Sequence, residues 1–165
     1  MTSAESQLAG YFTKYKPAMA KLGRALRAKL RARLPGLFEI VYFYENQNAL
    51  VIAYSPTERG YEGVCTISLT PDAVKLGFGK GAELKKADPN KLLQGSGKTA
   101  RFVVLHAAAD FDRPDIEALI SAAVTLDKLH LDPNTKGAMI TKAESQKQRA
   151  RRATKATRPR SANRL

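Results

Sequence analysis

The segment Gly95-Ser96-Gly97-Lys98-Thr99 carries the residue types of a phosphate grip. In a P-loop, backbone N–H groups wrap the phosphates, a lysine reaches the outer ones and a hydroxyl residue holds magnesium. The full pattern is G-x-x-x-x-G-K-[ST]. With Gly97-Lys98-Thr99 at its end, the first glycine falls on Leu92. The flanks disagree as well. A P-loop follows a buried strand and opens a helix whose N-terminal N–H groups face phosphate. Here the polar run "KADPNKLLQ" precedes and the strand-like "ARFVVLH" follows. The stretch reads as a two-glycine turn that admits positive φ and leads into a strand.

Other reactive residues are scattered. His106 and His130 stand in no H-x-x-x-H or C-x-x-C spacing. "DFDRPD" (110–115) starts like a calcium loop, but Pro114 occupies a ligand position and no glycine follows. Helix capping accounts better for Asp110, Asp112 and Asp115. No G-x-S-x-G elbow presents a serine nucleophile. Cys65, the one cysteine, sits in the alternating run "VCTISL" and reads as a buried small apolar residue. No catalytic residue, metal ligand or cofactor is assigned, and the protein is expected not to be an enzyme. The candidate anion-binding residues are Lys80, Lys98 and Arg101. Exposed N–H groups of glycine loops beside cations suit phosphate or carboxylate.

The elements that must position these residues follow from periodicity. Leu8, Phe12 and Tyr15 predict a first helix, and Pro17 suits the first turn of a second. Met19, Leu22, Leu26, Leu30 and Leu34 form its apolar stripe, and Pro35-Gly36 stops it. Its other faces carry Lys21, Arg24, Arg27, Lys29, Arg31 and Arg33, with no acid between Glu5 and Glu39. Such a helix is either a solvated face or a surface for a polyanion.

Five strands are expected at 38–45, 49–55, 64–69, 73–79 and 101–106. Asn46-Gln47-Asn48 turns the first hairpin, 56–63 is a polar loop and "NKLLQ" is a single helical turn. A last helix starts near Pro114, with Asp112 as its cap, and runs through Ile116, Leu119, Ile120 and Ala123. Strands in close succession with helices at both ends make an α+β fold on a mostly antiparallel sheet.

Charge divides the chain. Residues 1–130 carry 18 Lys/Arg and 13 Asp/Glu, whereas 131–165 carry 10 and 2, out of a formal net charge of +13. The expectation is a domain over 1–130 and a disordered cationic tail over 131–165, too poor in apolar residues to offset ordering entropy. Lys147, Arg149, Arg151, Arg152, Lys155, Arg158 and Arg160 are its candidate nucleic-acid contacts. They can neutralise phosphates but, without aromatics, cannot stack on bases. A lone cysteine, no apolar leader at the start and no long apolar run suggest a cytoplasmic protein without a membrane span.

One run is familiar. "LGFGKGAELKKADPNKLLQGSGKTARFVVLH" resembles the YdhG-like domain family in its L-G-F strand and G-A-x-L turn (Gly81 to Leu84). Asp88-Pro89, Leu92-Leu93 and Gly95-Ser96-Gly97-Lys98 match its D-P-x-x-L-L-x-G-[ST]-G-K turn, and Arg101-Phe102-Val103 its basic strand. "RARLPGLFE" (31–39) is similar to the family's approach to the first strand, and the resemblance covers about residues 8–127. Many members carry a G-M-P turn after that strand, where this chain has Asn48-Ala49-Leu50-Val51. The resemblance implies a small α+β domain of largely unknown function, one branch of which is described as frataxin-like iron chaperones. Iron handling of that type uses clustered carboxylates, and this chain's first long helix is basic. The expected role is binding an anionic partner through the tail and the glycine-loop cations. The alternatives are iron delivery and an enzyme with a small-molecule pocket under loop 56–63.

Overall fold

In the computed structural model, which describes residues 3–142, helix α1 (Ala4–Phe12) starts at Ser3, whose hydroxyl accepts the Ser6 N–H at 3.1 Å. That bond satisfies one of the helix's orphan donors. Helix α2 (Pro17–Arg33) has proline at its first position and buries Ala20, Gly23, Leu26 and Leu30, residues at helical spacing. Its end is marked by Gly36 at φ +86°, a left-handed conformation that a side chain would strain.

The strands are β1 (Phe38–Tyr44), β2 (Ala49–Ser55), β3 (Cys65–Leu69), β4 (Val74–Phe78) and β5 (Arg101–Leu105). Each pairs antiparallel with the next. Asn48 at φ 46° turns the first hairpin, and its carbonyl accepts the Tyr15 hydroxyl at 2.8 Å. Helix α3 (Pro114–Leu126) follows. The fold is therefore α+β, with helices before and after the strands.

All three helices contribute to one core. Leu8, Phe12, Leu26, Leu30, Ile116 and Leu119 join Val41, Ile52, Ile67, Leu76 and Leu105, alternate residues of the strands. Burying one such side chain contributes about 1.5–3 kcal/mol. Gly23 shows how closely α2 approaches: a Cβ there would lie 2.9 Å from Leu69 Cδ2 and Phe12 Cε1. On the other face of the sheet, loop 56–63 folds back onto β1. Gly60 lies so close to the Tyr42 hydroxyl that a Cβ would sit 2.0 Å from it.

The structure corrects the sequence reading in four places. The sheet has six strands, not five. Met139–Thr141 forms β6, which pairs parallel with β1 and gives the order β5-β4-β3-β2-β1-β6. The chain past residue 130 is thus tied to the domain at least to Lys142, whose N–H bonds the Val41 carbonyl at 2.7 Å. The expected helical turn at "NKLLQ" is absent. Lys91 takes φ 52°, and Gln94 instead exchanges backbone bonds with Phe102 at 2.7 and 3.0 Å. Asp112 does not cap α3. The cap position is Arg113, and Asp112 pairs with Lys29 of α2 at 2.7 Å. In the glycine turn, positive φ is taken by Gly95 (φ 118°).

Candidate functional site

The glycine turn is closed at its base by the Gln94–Phe102 pair, so residues 95–101 form the loop of a small hairpin. Its carbonyls are turned to internal donors. Thr99 O accepts the Ala82 N–H at 2.8 Å, and Arg101 Nη1 donates to the carbonyls of Gly97 and Ala100. A phosphate grip needs converging N–H groups at the mouth of a helix, and here a strand follows. The loop turns the chain into β5.

The three cations expected to act together are separated. Lys80 is held by Asp127 at 2.6 Å, and this partner raises its pKa. It lines a cavity of about 480 Å³ with Pro56, Tyr61, Glu62, Thr99 and Asp127. Arg101 lines a different cavity, of about 420 Å³, with Gly81, Ala82, Lys85, Asp88, Lys91 and Leu93. Lys98 is exposed on the 95–101 loop and lines neither cavity.

This second cavity places Lys85 and Lys91, which the sequence reading passed over, beside Arg101. Asp88, the one acid in its lining, is already engaged. Its two carboxylate oxygens accept the N–H groups of Leu92 and Leu93 at 2.8 and 3.0 Å. This clamp folds 88–93 into a tight turn and forces Lys91 into the left-handed region, which costs a side-chain-bearing residue about 1–2 kcal/mol. A strained lysine facing a cationic cavity fits the pattern in which strain is stored at binding sites. Gly81 makes the wall possible, since a Cβ there would lie 2.4 Å from Arg101 Cβ. The signal in the sequence was the D-P-x-K spacing: an Asp that caps its own turn brings the lysine three residues on to its rim.

The basic helix α2 is not an open cationic face. Arg27 makes two bonds to Glu39, at 2.9 and 3.0 Å, and two to Glu5. Arg31 approaches Glu39 at 3.3 Å, and Arg33 meets Glu117 at 2.9 Å. Arg24 lies over the Phe12 ring. Of this network the sequence showed only that acids were absent from the helix, because the acids come from α1, β1 and α3. Glu39 is 5 % exposed and also accepts the Tyr54 hydroxyl at 2.8 Å. Burial works against the charge on Arg27, yet the bonds from Glu39 and Glu5 outweigh it and raise its pKa. Burial, followed by the nearby Glu39 charge, pushes the Tyr54 hydroxyl well above the ordinary tyrosine value. Arg31, Glu39 and Tyr54 border a cavity of about 380 Å³ with Lys136 and Gly137. Its carboxylate is saturated by partners, so this network locks α2 to β1 and β2.

The acids of "DFDRPD" are also occupied. Asp110 accepts the N–H groups of His106 and Ala107, which hold its carboxyl below the usual value. Asp112 pairs with Lys29, and Asp115 with Arg113 at 2.6 Å. Among the described residues no three His, Cys, Asp or Glu side chains converge as a metal site. Cys65 is fully buried and its thiol is pushed up to about 12 by that burial. No described helix is long and apolar enough to cross a membrane. The tail candidates Lys147, Arg149, Arg151, Arg152, Lys155, Arg158 and Arg160 lie outside the described residues.

The fold is a small α+β domain with a concave surface lined by Lys85, Lys91 and Arg101. In comparison with known proteins, no family model, no curated protein and no solved structure matches the chain.

Proposed function

We propose that this protein is a non-enzymatic, YdhG-like binding module that holds an anionic partner at the cavity between the 79–93 segment and Arg101. The observation that carries this reading is the convergence of Lys85, Lys91 and Arg101 on one cavity whose single acid is already bonded to backbone. Two or three cations around a concave site favour phosphate or carboxylate groups through charge-assisted hydrogen bonds. The cationic tail extends the same chemistry to polymers, since each phosphate neutralised releases counterions. Lys80 is not part of the site, because Asp127 takes its charge.

The test is calorimetric titration of the full chain with inorganic pyrophosphate at low salt. Binding should weaken at least tenfold when Lys85 and Lys91 are both changed to Gln. Absence of binding by the parent chain would refute the site. For the tail, affinity for a DNA duplex should fall steeply between 50 and 200 mM salt. About five phosphate contacts give a log–log slope near −4.5.

A second reading rests on the cavity under loop 56–63. There Tyr61, 82 % exposed, stands at the rim above the Lys80–Asp127 pair. A ring to stack on beside one cation, Lys80, and two acids, Glu62 and Asp127, suits a small zwitterion. Changing Asp127 to Asn would abolish such binding and leave pyrophosphate binding unchanged.

A further inference from the structure

The turn that gathers the cations also sets an apolar wall among them. The Asp88 carboxylate that bends the chain at Lys91 takes the N–H groups of Leu92 and Leu93. Leu93 is half-buried and lines the cavity together with Gly81 and Ala82. The next residue, Gln94, exchanges two backbone bonds with Phe102, so Leu93 is held from both sides.

Arg101 is set in place as well. Its Nη1 donates to the carbonyls of Gly97 and Ala100. Among the described residues no acceptor takes its Nε or Nη2. Those two donors form one edge of the guanidinium, a fork that fits two oxygens of a phosphate. An arginine already oriented loses less freedom on binding.

Size and charge narrow the ligand. The cavity holds about 420 Å³, within the roughly 300–1,000 Å³ of sites for small organic molecules. An inorganic ion would leave Leu93 and Ala82 facing water. Lys85, Lys91 and Arg101 face a ligand with Asp88 as the lone acid, and both its oxygens are spent on backbone. A carboxylate answers them with a single charge. A phosphate monoester brings about −1.5 to −2 charges at pH 7 and three acceptor oxygens.

We infer that this cavity takes a small phosphate monoester with a compact apolar group, its phosphate on Lys85, Lys91 and Arg101 and its apolar group against Leu93 and Ala82. The inference rests on the anionic-partner reading and names its ligand class.

The experiment is titration calorimetry of the full chain at fixed low salt with phenyl phosphate, inorganic phosphate, benzoate and pyrophosphate. Phenyl phosphate should bind about 10- to 100-fold more tightly than inorganic phosphate, because its ring leaves water. Benzoate should bind about tenfold more weakly than phenyl phosphate, having lost charge-assisted bonds. Leu93→Ser removes the apolar wall. It should weaken phenyl phosphate about 3- to 10-fold and change pyrophosphate by no more than about twofold. Ala82→Leu instead fills the floor of the cavity with apolar volume, and it should cost phenyl phosphate about as much while sparing pyrophosphate. Circular dichroism confirms that each variant is folded, and the two alter the wall in opposite senses. Phenyl phosphate binding no tighter than inorganic phosphate, or benzoate matching it, would overturn the inference. Pyrophosphate binding in that case leaves the anionic-partner reading standing. No binding of any of the four would overturn both.

Discussion

Replacing Lys91 by Gly separates stability from binding in a single variant. Lys91 sits at φ 52°, held there because Asp88 takes the N–H groups of Leu92 and Leu93. A residue with a Cβ in that region carries about 1–2 kcal/mol of strain that glycine does not. Glycine also widens the unfolded ensemble, which takes back roughly 0.4–1 kcal/mol. The net effect is stabilisation of about 0.5–1 kcal/mol. At about 2–4 °C per kcal/mol for a domain of this size, the thermal midpoint should rise by about 1–4 °C. Removing the ammonium from the cavity should weaken pyrophosphate about 3- to 10-fold, the worth of one partly solvated cation. Lys91→Gln is the control. It keeps the strain and loses the charge, so it should match the parent in midpoint and the glycine variant in affinity. Differential scanning calorimetry and titration calorimetry on the same samples read both quantities. The reasoning is refuted if Lys91→Gly melts below the parent, or if it binds pyrophosphate as tightly.

The remaining predictions concern the frame. A chain ended after His130 loses β6, its backbone bonds to β1 and the packing of Met139, about 3 kcal/mol in all. Its midpoint should fall by about 6–12 °C relative to a chain ended after Lys142, and equal midpoints would show that β6 adds nothing. Glu39→Ala leaves the Arg27 guanidinium with Glu5 alone and the buried Tyr54 hydroxyl without its acceptor, and should destabilise by about 3 kcal/mol. Urea melts of that variant and of Arg27→Met with Glu39→Leu check this, the pair recovering most of the loss. Burial raises the Cys65 thiol and the Tyr15 hydroxyl to about 12 in the folded chain. Their stabilisation is complete below the unfolded values near 9 and 10 and is lost as pH rises toward 12. Stability should therefore be flat to about pH 8.5 and then fall, with Cys65 alone accounting for about 3–4 kcal/mol by pH 12. Cys65→Ala should remove that share of the slope in melts run across this range.

Most of the fold was legible because its elements obey simple periods. Val74, Leu76 and Phe78 alternate, and Leu26 and Leu30 stand one turn apart, so β4 and α2 follow from the residues themselves. What was hidden depends on contacts between distant segments. β6 has only three residues and no apolar alternation; it exists because β1 offers a free edge and because Gly137 lets the chain press against Leu37. The sequence left open which glycine of the turn takes positive φ; it is Gly95, the first residue after the Gln94–Phe102 pair. The site was half legible. Arg101 was found from the glycine turn, whereas Lys85 and Lys91 reach the same cavity only because Asp88 curls its own segment.

The same logic explains where an anion can bind at all. A strongly basic chain offers many cations, but α2 shows most of them already matched: Arg27 and Arg31 to Glu39, Lys29 to Asp112, Arg33 to Glu117. A matched cation has little field left to offer a ligand, and breaking the pair would strand its partner. In the 79–101 segment the matching is uneven. Lys80 has Asp127, while Asp88, the one acid lining the cavity of Lys85, Lys91 and Arg101, spends both oxygens on backbone N–H groups. The imbalance comes from the turn itself, because the acid that shapes it is thereby withdrawn from the cations it brings together. Releasing Asp88 from that duty, by changing it to Ala, should therefore loosen the turn and disperse the cations. Pyrophosphate affinity should drop even though a negative charge has been removed. A site held together by charge alone would bind more tightly after the same change.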